Sequence, residues 1–138
     1  MGILIAIDFG LKRTGLAVTD ELQLIASGFE TVESIHLMDT LKRLVGSEKV
    51  DGFVIGQAKR MSGEDSAIEV NILELIRVLH KIFPLIPVHR QDERFTSKLA
   101  MEAMISGGVK KSDRRNKQKG LVDKVSATLI LQAYLENQ

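Results

Sequence analysis

The sequence contains no cysteine and no tryptophan among its 138 residues, and only three histidines. Without cysteine, neither a disulfide nor a thiolate metal site can form. The histidines lie far apart in the chain, which argues against zinc held by several imidazoles. No apolar run reaches the roughly 18 residues that a membrane helix needs, and no basic region with a cleavage site precedes the first apolar run. We therefore expect a cytoplasmic protein with no membrane contact.

The composition that is present is typical of a globular protein, with 44% hydrophobic and 27% charged residues. This length suits a single domain over residues 1–138 with a substantial core. The net charge is only +1, but cations are concentrated in one short segment whose only acid is Asp113. These cations are Lys110, Lys111, Arg114, Arg115, Lys117 and Lys119. Such local asymmetry indicates a polyanionic partner, although a solvated loop is the alternative.

Hydrophobic patterning predicts a mixed α/β fold. Residues 3–9, 16–18 and 25–32 are typical of strands, and their short connections make them antiparallel neighbours. Helices are predicted over 35–46, with Ser34 as the cap, and over 66–83, where Pro84 ends the helix. Strands are predicted over 51–56 and 86–89, a further helix runs from Thr96 or Ser97 to Gly107-Gly108, and the last helix covers 121–135. This order predicts a five-stranded sheet with three antiparallel N-terminal strands and helices on both faces. It fits the ribonuclease H-like fold, among others.

Acidic residues stand where predicted strands and the last helix end or begin. Asp8 closes the first strand, Asp92 and Glu93 follow the last strand, and Asp123 lies in the first turn of the last helix. Ligands gather at the carboxyl ends of parallel strands. Clustered carboxylates repel one another unless a cation lies among them. The pattern therefore indicates a site for Mg²⁺ or Mn²⁺, ions that activate water and stabilise charge on a phosphate.

Each of these acids also has a purely structural interpretation. Asp8 could cap a turn, and Asp123 could favour the positive end of a helix. Asp92 and Glu93 could pair with neighbouring arginines on a solvated surface. The combination of these acids with a basic segment directly before Asp123 favours phosphodiester chemistry.

The turn after Asp8 carries two cations, Lys12 and Arg13, between Gly10 and Gly15. The glycines allow a tight turn and close approach to a ligand, so that both cations can meet phosphate oxygens. A plain hairpin turn with solvated cations is the alternative. The Asp-x-Gly pattern also occurs in the sugar kinase and actin superfamily, but this chain is too short for that two-lobed body.

Three groups of residues together resemble the YqgF/RuvX family, bacterial Holliday junction resolvases that are also described as pre-16S ribosomal RNA nucleases. The groups are Asp8-Phe9-Gly10 with Arg13, Gly15 and Ala17; Asp92-Glu93-Arg94 with Thr96 and Ser97; and Lys119-Gly120 with Val122-Asp123. The resemblance covers essentially the whole chain. It implies a ribonuclease H-like fold, similar to that of the RuvC resolvases, and a catalytic triad of Asp8, Glu93 and Asp123 that holds Mg²⁺ or Mn²⁺.

One departure from the family concerns the loop after Gly56. The family usually has Gly-Leu-Pro followed by a polar loop, whereas this chain has Gln57-Ala58 and a more basic continuation. The catalytic acids are unaffected, and the substrate contacts of this loop stay open.

The resulting expectation is a metal-dependent endonuclease acting on structured nucleic acid, either at the 5′ end of pre-16S rRNA or on Holliday junction DNA. The expected phosphate-binding residues are Lys12, Arg13, Arg94 and the six cations of the basic segment. Ribosomal precursor particles are an expected partner, and the chain is expected to be a monomer or a weak homodimer. The alternatives are a nucleic-acid-binding ribosome-maturation factor with little or no cleavage, and a small phosphate-ester hydrolase or nucleotide binder of another class. The choice of RNA or DNA, the number of metal ions and a contribution from Asp92 stay open.

Overall fold

A computed structural model describes residues 2–57, 68–92 and 118–136, and within them five strands form one sheet. The strands are β1 Ile3–Asp8, β2 Arg13–Thr19, β3 Ala26–Glu33, β4 Val50–Gln57 and β5 Val88–Asp92. Their order is β3-β2-β1-β4-β5. β1, β2 and β3 pair antiparallel, whereas β4 pairs parallel with β1 and β5 pairs parallel with β4. The predicted mixed sheet with three antiparallel N-terminal strands is confirmed.

Helices cover both faces of this sheet, as predicted. In the described part of the chain they are α1 Leu37–Ser47, which follows a 3₁₀ turn at Ser34–His36, α2 Glu69–Ile82 and α3 Gln118–Glu136. α1 and α2 pack on one face and α3 on the other. None of the described helices is long and apolar enough to cross a membrane.

β1 is buried on both faces, which explains its unbroken apolar sequence. Ile3, Ile5 and Ile7 join the core beneath α1 and α2. Leu4 and Ala6 join the smaller core beneath α3. Because alternate residues of a strand lie on opposite faces, the next even-numbered residue of β1, Asp8, lies on the α3 face.

Ser34 does not cap α1 as predicted, because a 3₁₀ turn begins at this residue and no side-chain cap is formed. Its hydroxyl donates instead to the carbonyl oxygen of Gly10 at 2.5 Å and lies 2.8 Å from the hydroxyl of Thr14. Its N–H donates to the carbonyl oxygen of Lys12 at 2.9 Å. Ser34 therefore fixes the turn between β1 and β2.

The last helix begins at Gln118, three residues earlier than predicted, so Asp123 lies in its second turn and the first-turn prediction was wrong. Gly120 looks like a helix breaker in the sequence, but a helix tolerates one glycine at a cost of about 1 kcal/mol. β5 begins at Val88, two residues later than predicted, and ends at Asp92. The helix predicted to end at Gly107-Gly108 and residues 110–117 of the basic segment lie outside the described residues.

A buried ion pair joins α2 to β5. Arg90 Nη2 lies 2.7 Å from Glu69 Oε1, and the two side chains are 23% and 7% exposed. Arg90 also donates to the carbonyl oxygens of Ile55 and Gly56, at 3.3 and 3.2 Å. The other carboxylate oxygen of Glu69 is buried and has no hydrogen-bond partner in the described part of the chain. Arg90 therefore holds the first turn of α2 against the last residues of β4.

We expect Arg90→Met to lower the free energy of unfolding by about 3–5 kcal/mol, because it leaves a buried carboxylate without its partner. Adding Glu69→Leu should recover most of this loss, since the unpaired charge is then removed as well. Urea unfolding followed by circular dichroism measures both changes. Arg77→Met is the matched control, because Arg77 and Glu74 form a pair that is 64% and 60% exposed. Arg77→Met should lower the free energy of unfolding by less than about 1 kcal/mol. An equally small effect of Arg90→Met would contradict a structural role for the buried pair.

Candidate active site

Asp8 ends β1 with a half-buried side chain between two glycines. Gly15 of β2 pairs directly with Asp8. On the other side Ile7 pairs with Ile55 of β4, so the next residue of β4, Gly56, lies level with Asp8. Neither glycine has a side chain, so no side chain from these adjacent positions covers the Asp8 carboxylate.

The three parallel strands end at one edge of the sheet. Gln57, the last residue of β4, pairs with Asp92, the last residue of β5. At the usual spacing of about 4.8 Å between strands, the backbone of β5 lies about 10 Å from that of β1. Asp8 and the end of β5 thus lie on either side of the end of β4, with about 10 Å between the two backbones.

α3 runs from this edge toward the opposite one. Near its end, the Tyr134 ring lies 5.2 Å from the His89 ring, and Leu135 lines the same cavity as Leu4. Asp123 precedes Leu135 by 12 residues, which is about 18 Å along a helix. Leu4 and Asp8 are about 13 Å apart along β1. The helix is therefore long enough for its second turn to reach the edge at which Asp8 lies.

The structure describes only part of the predicted site. Lys12 and Arg13 are exposed and immediately follow the Asp8 edge, in the turn and at the start of β2. Lys119 lies in the first turn of α3. Glu93, Arg94, Lys110, Lys111, Arg114, Arg115 and Lys117 lie outside the described residues. Among the residues that are described, no three His, Asp or Glu side chains form a group that could hold a metal ion.

The predicted donor set fits a hard divalent cation. Asp8, Glu93 and Asp123 offer only carboxylate oxygens, which suit Mg²⁺ and Mn²⁺ and do not suit softer metals. Asp8 adds a half-buried position at the edge of the sheet, with glycines beside it. A half-buried carboxylate at such a position is stabilised by a cation.

Sequence reasoning misplaced one glycine and missed the contacts of Ser34. Gly15 is predicted to belong to a phosphate-binding turn, but it lies inside β2 opposite Asp8. Gly10 does belong to the turn, and a Cβ there would collide with the carbonyl oxygen of Arg13. The contacts of Ser34 link residues 20 and 24 positions apart. No local pattern in the sequence could have revealed them.

Over almost its whole length, the chain is similar to proteins that are named as nucleases. A model of the RuvX family, described as Holliday junction resolvase, matches residues 2–137. A protein of Christiangramia forsetii named "Putative pre-16S rRNA nuclease" is 49% identical over 135 residues, which cover 98% of each chain. A protein of Phocaeicola vulgatus with the same name is 49% identical over 138 residues, which cover 100% of this chain and 98% of the relative.

Solved structures extend the similarity to the fold. Fowlpox virus resolvase in complex with Holliday junction DNA superposes with a TM-score of 0.62 at 15% identity, covering 98% of this chain and 97% of the resolvase. RuvC of T. thermophilus in complex with a Holliday junction substrate gives a TM-score of 0.54 at 18% identity, covering 98% and 95%. The predicted ribonuclease H-like fold is confirmed.

We expect Ser34→Ala to lower the free energy of unfolding by about 1–2 kcal/mol, because it removes the hydroxyl contacts to Gly10 and Thr14. It should also speed amide hydrogen exchange in the β1–β2 turn, measured by NMR. Ser47→Ala is the matched control, since the Ser47 hydroxyl makes one long contact of 3.4 Å to the carbonyl oxygen of Leu44. If both variants behave alike, Ser34 does not fix the turn.

Proposed function

The chain belongs to the RuvX family of Holliday junction resolvases, and from this we propose that it is a metal-dependent endonuclease for structured nucleic acid. The nuclease activity follows from the family and from the named relatives. We propose the carboxyl edge of the sheet as the place of cleavage. The observation that carries this proposal is the half-buried Asp8 carboxylate between Gly15 and the position of Gly56.

The proposed metal ligands are Asp8, Glu93 and Asp123, and the ion is Mg²⁺ or Mn²⁺. When bound, such an ion lowers the pKa of a coordinated water and stabilises negative charge on the phosphate. The proposal is supported by the separate origins of the three acids, which follow or belong to β1, β5 and α3. Bringing the three carboxylates together costs electrostatic repulsion. A cation bound among them would offset this cost.

The remaining residues of the proposed site bind and orient the substrate. Lys12 and Arg13 are exposed on a turn that Ser34 fixes, within five residues of Asp8. Both can bind phosphates next to the bond that is cut. Arg94 and the basic segment bind the backbone further away and carry no base recognition. In the reaction, a water oxygen bonds to phosphorus, the bond to the leaving sugar oxygen breaks, and that oxygen gains a proton.

The proposed substrate is pre-16S ribosomal RNA at its 5′ end, because the relatives at 49% identity are named for pre-16S rRNA. Holliday junction DNA is the second candidate, since the family description names it. The proposed setting is the cytoplasm, with ribosomal precursor particles as partner. Residues 1–138 act as one nuclease domain, as a monomer or a weak homodimer.

We expect Asp8→Asn to reduce Mn²⁺-dependent cleavage of pre-16S rRNA and of junction DNA by more than about 100-fold, since loss of a direct ligand should cost more than loss of a supporting contact. Asn keeps the shape of Asp but lacks the charge that holds the ion. Binding measured in EDTA should persist. The stability of the metal-free protein should stay the same or rise, because like-charge crowding is relieved.

Asp39→Asn is the control for this experiment, because Asp39 is an exposed acid in α1. It should cleave like wild type. Wild-type cleavage by Asp8→Asn, with contaminating nuclease excluded, would contradict the metal-nuclease assignment and favour a binding factor without activity.

We expect replacement of Lys110, Lys111, Arg114 and Arg115 by Ala to weaken binding rather than cleavage of bound substrate. The slope of affinity against salt should fall by about one unit for each phosphate that the variant no longer binds. Fluorescence anisotropy over a salt series measures the slope, and single-turnover cleavage measures the bound complex. Lys42→Ala with Lys81→Ala is the control, because both lysines are exposed on other helices. An unchanged slope would remove the basic segment from the binding surface.

A further inference from the structure

A groove of about 450 Å³ opens beside the Asp8 edge, lined by Leu11, Lys12, Arg13, Glu33 and Ile35. Two large aliphatic side chains form its walls. They are Leu11, which is 67% exposed, and Ile35, which is 81% exposed. Single exposed aliphatic residues are common on protein surfaces and need no explanation. Here two aliphatic residues share one groove with two cations, close in the chain to a proposed catalytic acid. This combination of apolar and cationic side chains suits a specific ligand.

The backbone segments that carry the groove are joined by the contacts of Ser34. This residue lies between Glu33 and Ile35, and its hydroxyl and N–H reach the carbonyl oxygens of Gly10 and Lys12. The two aliphatic walls therefore come from separate segments that are tied together by hydrogen bonds. A surface whose backbone is already ordered loses less conformational entropy when a ligand binds, which favours binding.

We propose that this groove binds an unpaired base of the nucleic acid substrate, next to the phosphate that is cut. The inference rests on the proposed function, which it deepens by naming the structural class of the substrate. Leu and Ile are among the apolar side chains that contact base faces in proteins that insert wedges between base steps and unstack them. Lys12 and Arg13 at the groove bind the flanking phosphates.

Glu33 adds one acidic acceptor to a groove that also carries Lys12 and Arg13. Its carboxylate would repel a phosphate, but it can accept a hydrogen bond from the amino group of a base. It also lies 3.7 Å from His36 Nε2 at the surface. Apolar walls with one acceptor thus fit a base, and the cations beside them fit its backbone. This charge pattern, on a turn that closely follows Asp8 in the chain, favours nucleic acid over a protein partner.

The test compares two RNA duplexes of the same sequence, one fully paired and one with a single unpaired bulge. Affinities are measured in EDTA, where no cleavage occurs, for wild type and for Leu11→Ser/Ile35→Ser. Wild type should prefer the bulged duplex. The variant should bind the bulged duplex at least about fivefold more weakly, because it loses the apolar area that both side chains bury against the base. It should bind the paired duplex as wild type does. 2-Aminopurine at the bulge should change its fluorescence with wild type and not with the variant.

Leu24→Ser/Ile25→Ser is the matched control, an apolar pair at the opposite edge of the sheet that is 72% and 65% exposed. It should keep the preference for the bulge. The inference is overturned if wild type shows no preference, if the control pair loses it equally, or if Leu11→Ser/Ile35→Ser weakens both duplexes alike. It is also overturned if sedimentation shows that Leu11→Ser/Ile35→Ser dissociates a dimer, because the groove would then be an interface between copies. Asp8→Asn should keep the preference, so a failed nuclease assignment and a failed base site give different results.

Discussion

The parallel pairing of β1 with β4 is the constraint on which the rest of the structure depends. Its register sends Ile3, Ile5 and Ile7 beneath α1 and α2 and leaves Asp8 on the α3 face at the edge of the sheet. A slip of one residue would exchange the two faces along the whole strand. The Asp8 carboxylate would then be turned toward an apolar core, at a high cost in free energy. The burial that forms the core therefore also places the acid.

At the carboxyl edge, the two faces of the sheet carry different charged groups. Beneath α2, the buried pair of Arg90 and Glu69 ties that helix to the ends of β4 and β5. On the α3 face, Asp8 lies between positions without side chains. The sheet keeps these charged groups apart, so the arginine that supports the edge is on the face opposite to Asp8. A rigid support on one face and a half-buried carboxylate beside two glycines on the other suit a site that must hold its geometry while it exchanges substrate.

The mixed sheet could be predicted from the sequence because the pattern of β1 is local, a continuous apolar run that ends in an acid. The acids at strand ends could be recognised for the same reason. The contacts that shape the site could not, because they join distant residues. Ser34 looks like a helix cap in the sequence and instead fixes a turn 20 and 24 residues earlier in the chain. Gly15 is typical of a turn residue in the sequence. Only the strand pairing shows that it lies opposite Asp8. Glu69 and Arg90 carry no sign of burial, since charged residues are ordinarily exposed.

An NMR titration of the metal-free protein with Mn²⁺ tests the proposed metal site most directly, because the paramagnetic ion broadens the signals of nearby amides. We expect selective broadening of Gly15, Gly56 and Gln91 at the carboxyl edge, with Gly2 and Asp51 at the opposite edge unaffected. Asp8→Asn, Glu93→Gln and Asp123→Asn should each raise the Mn²⁺ concentration that this broadening requires. Broadening spread evenly over the surface, or unchanged in all three variants, would contradict a divalent metal site built from these acids.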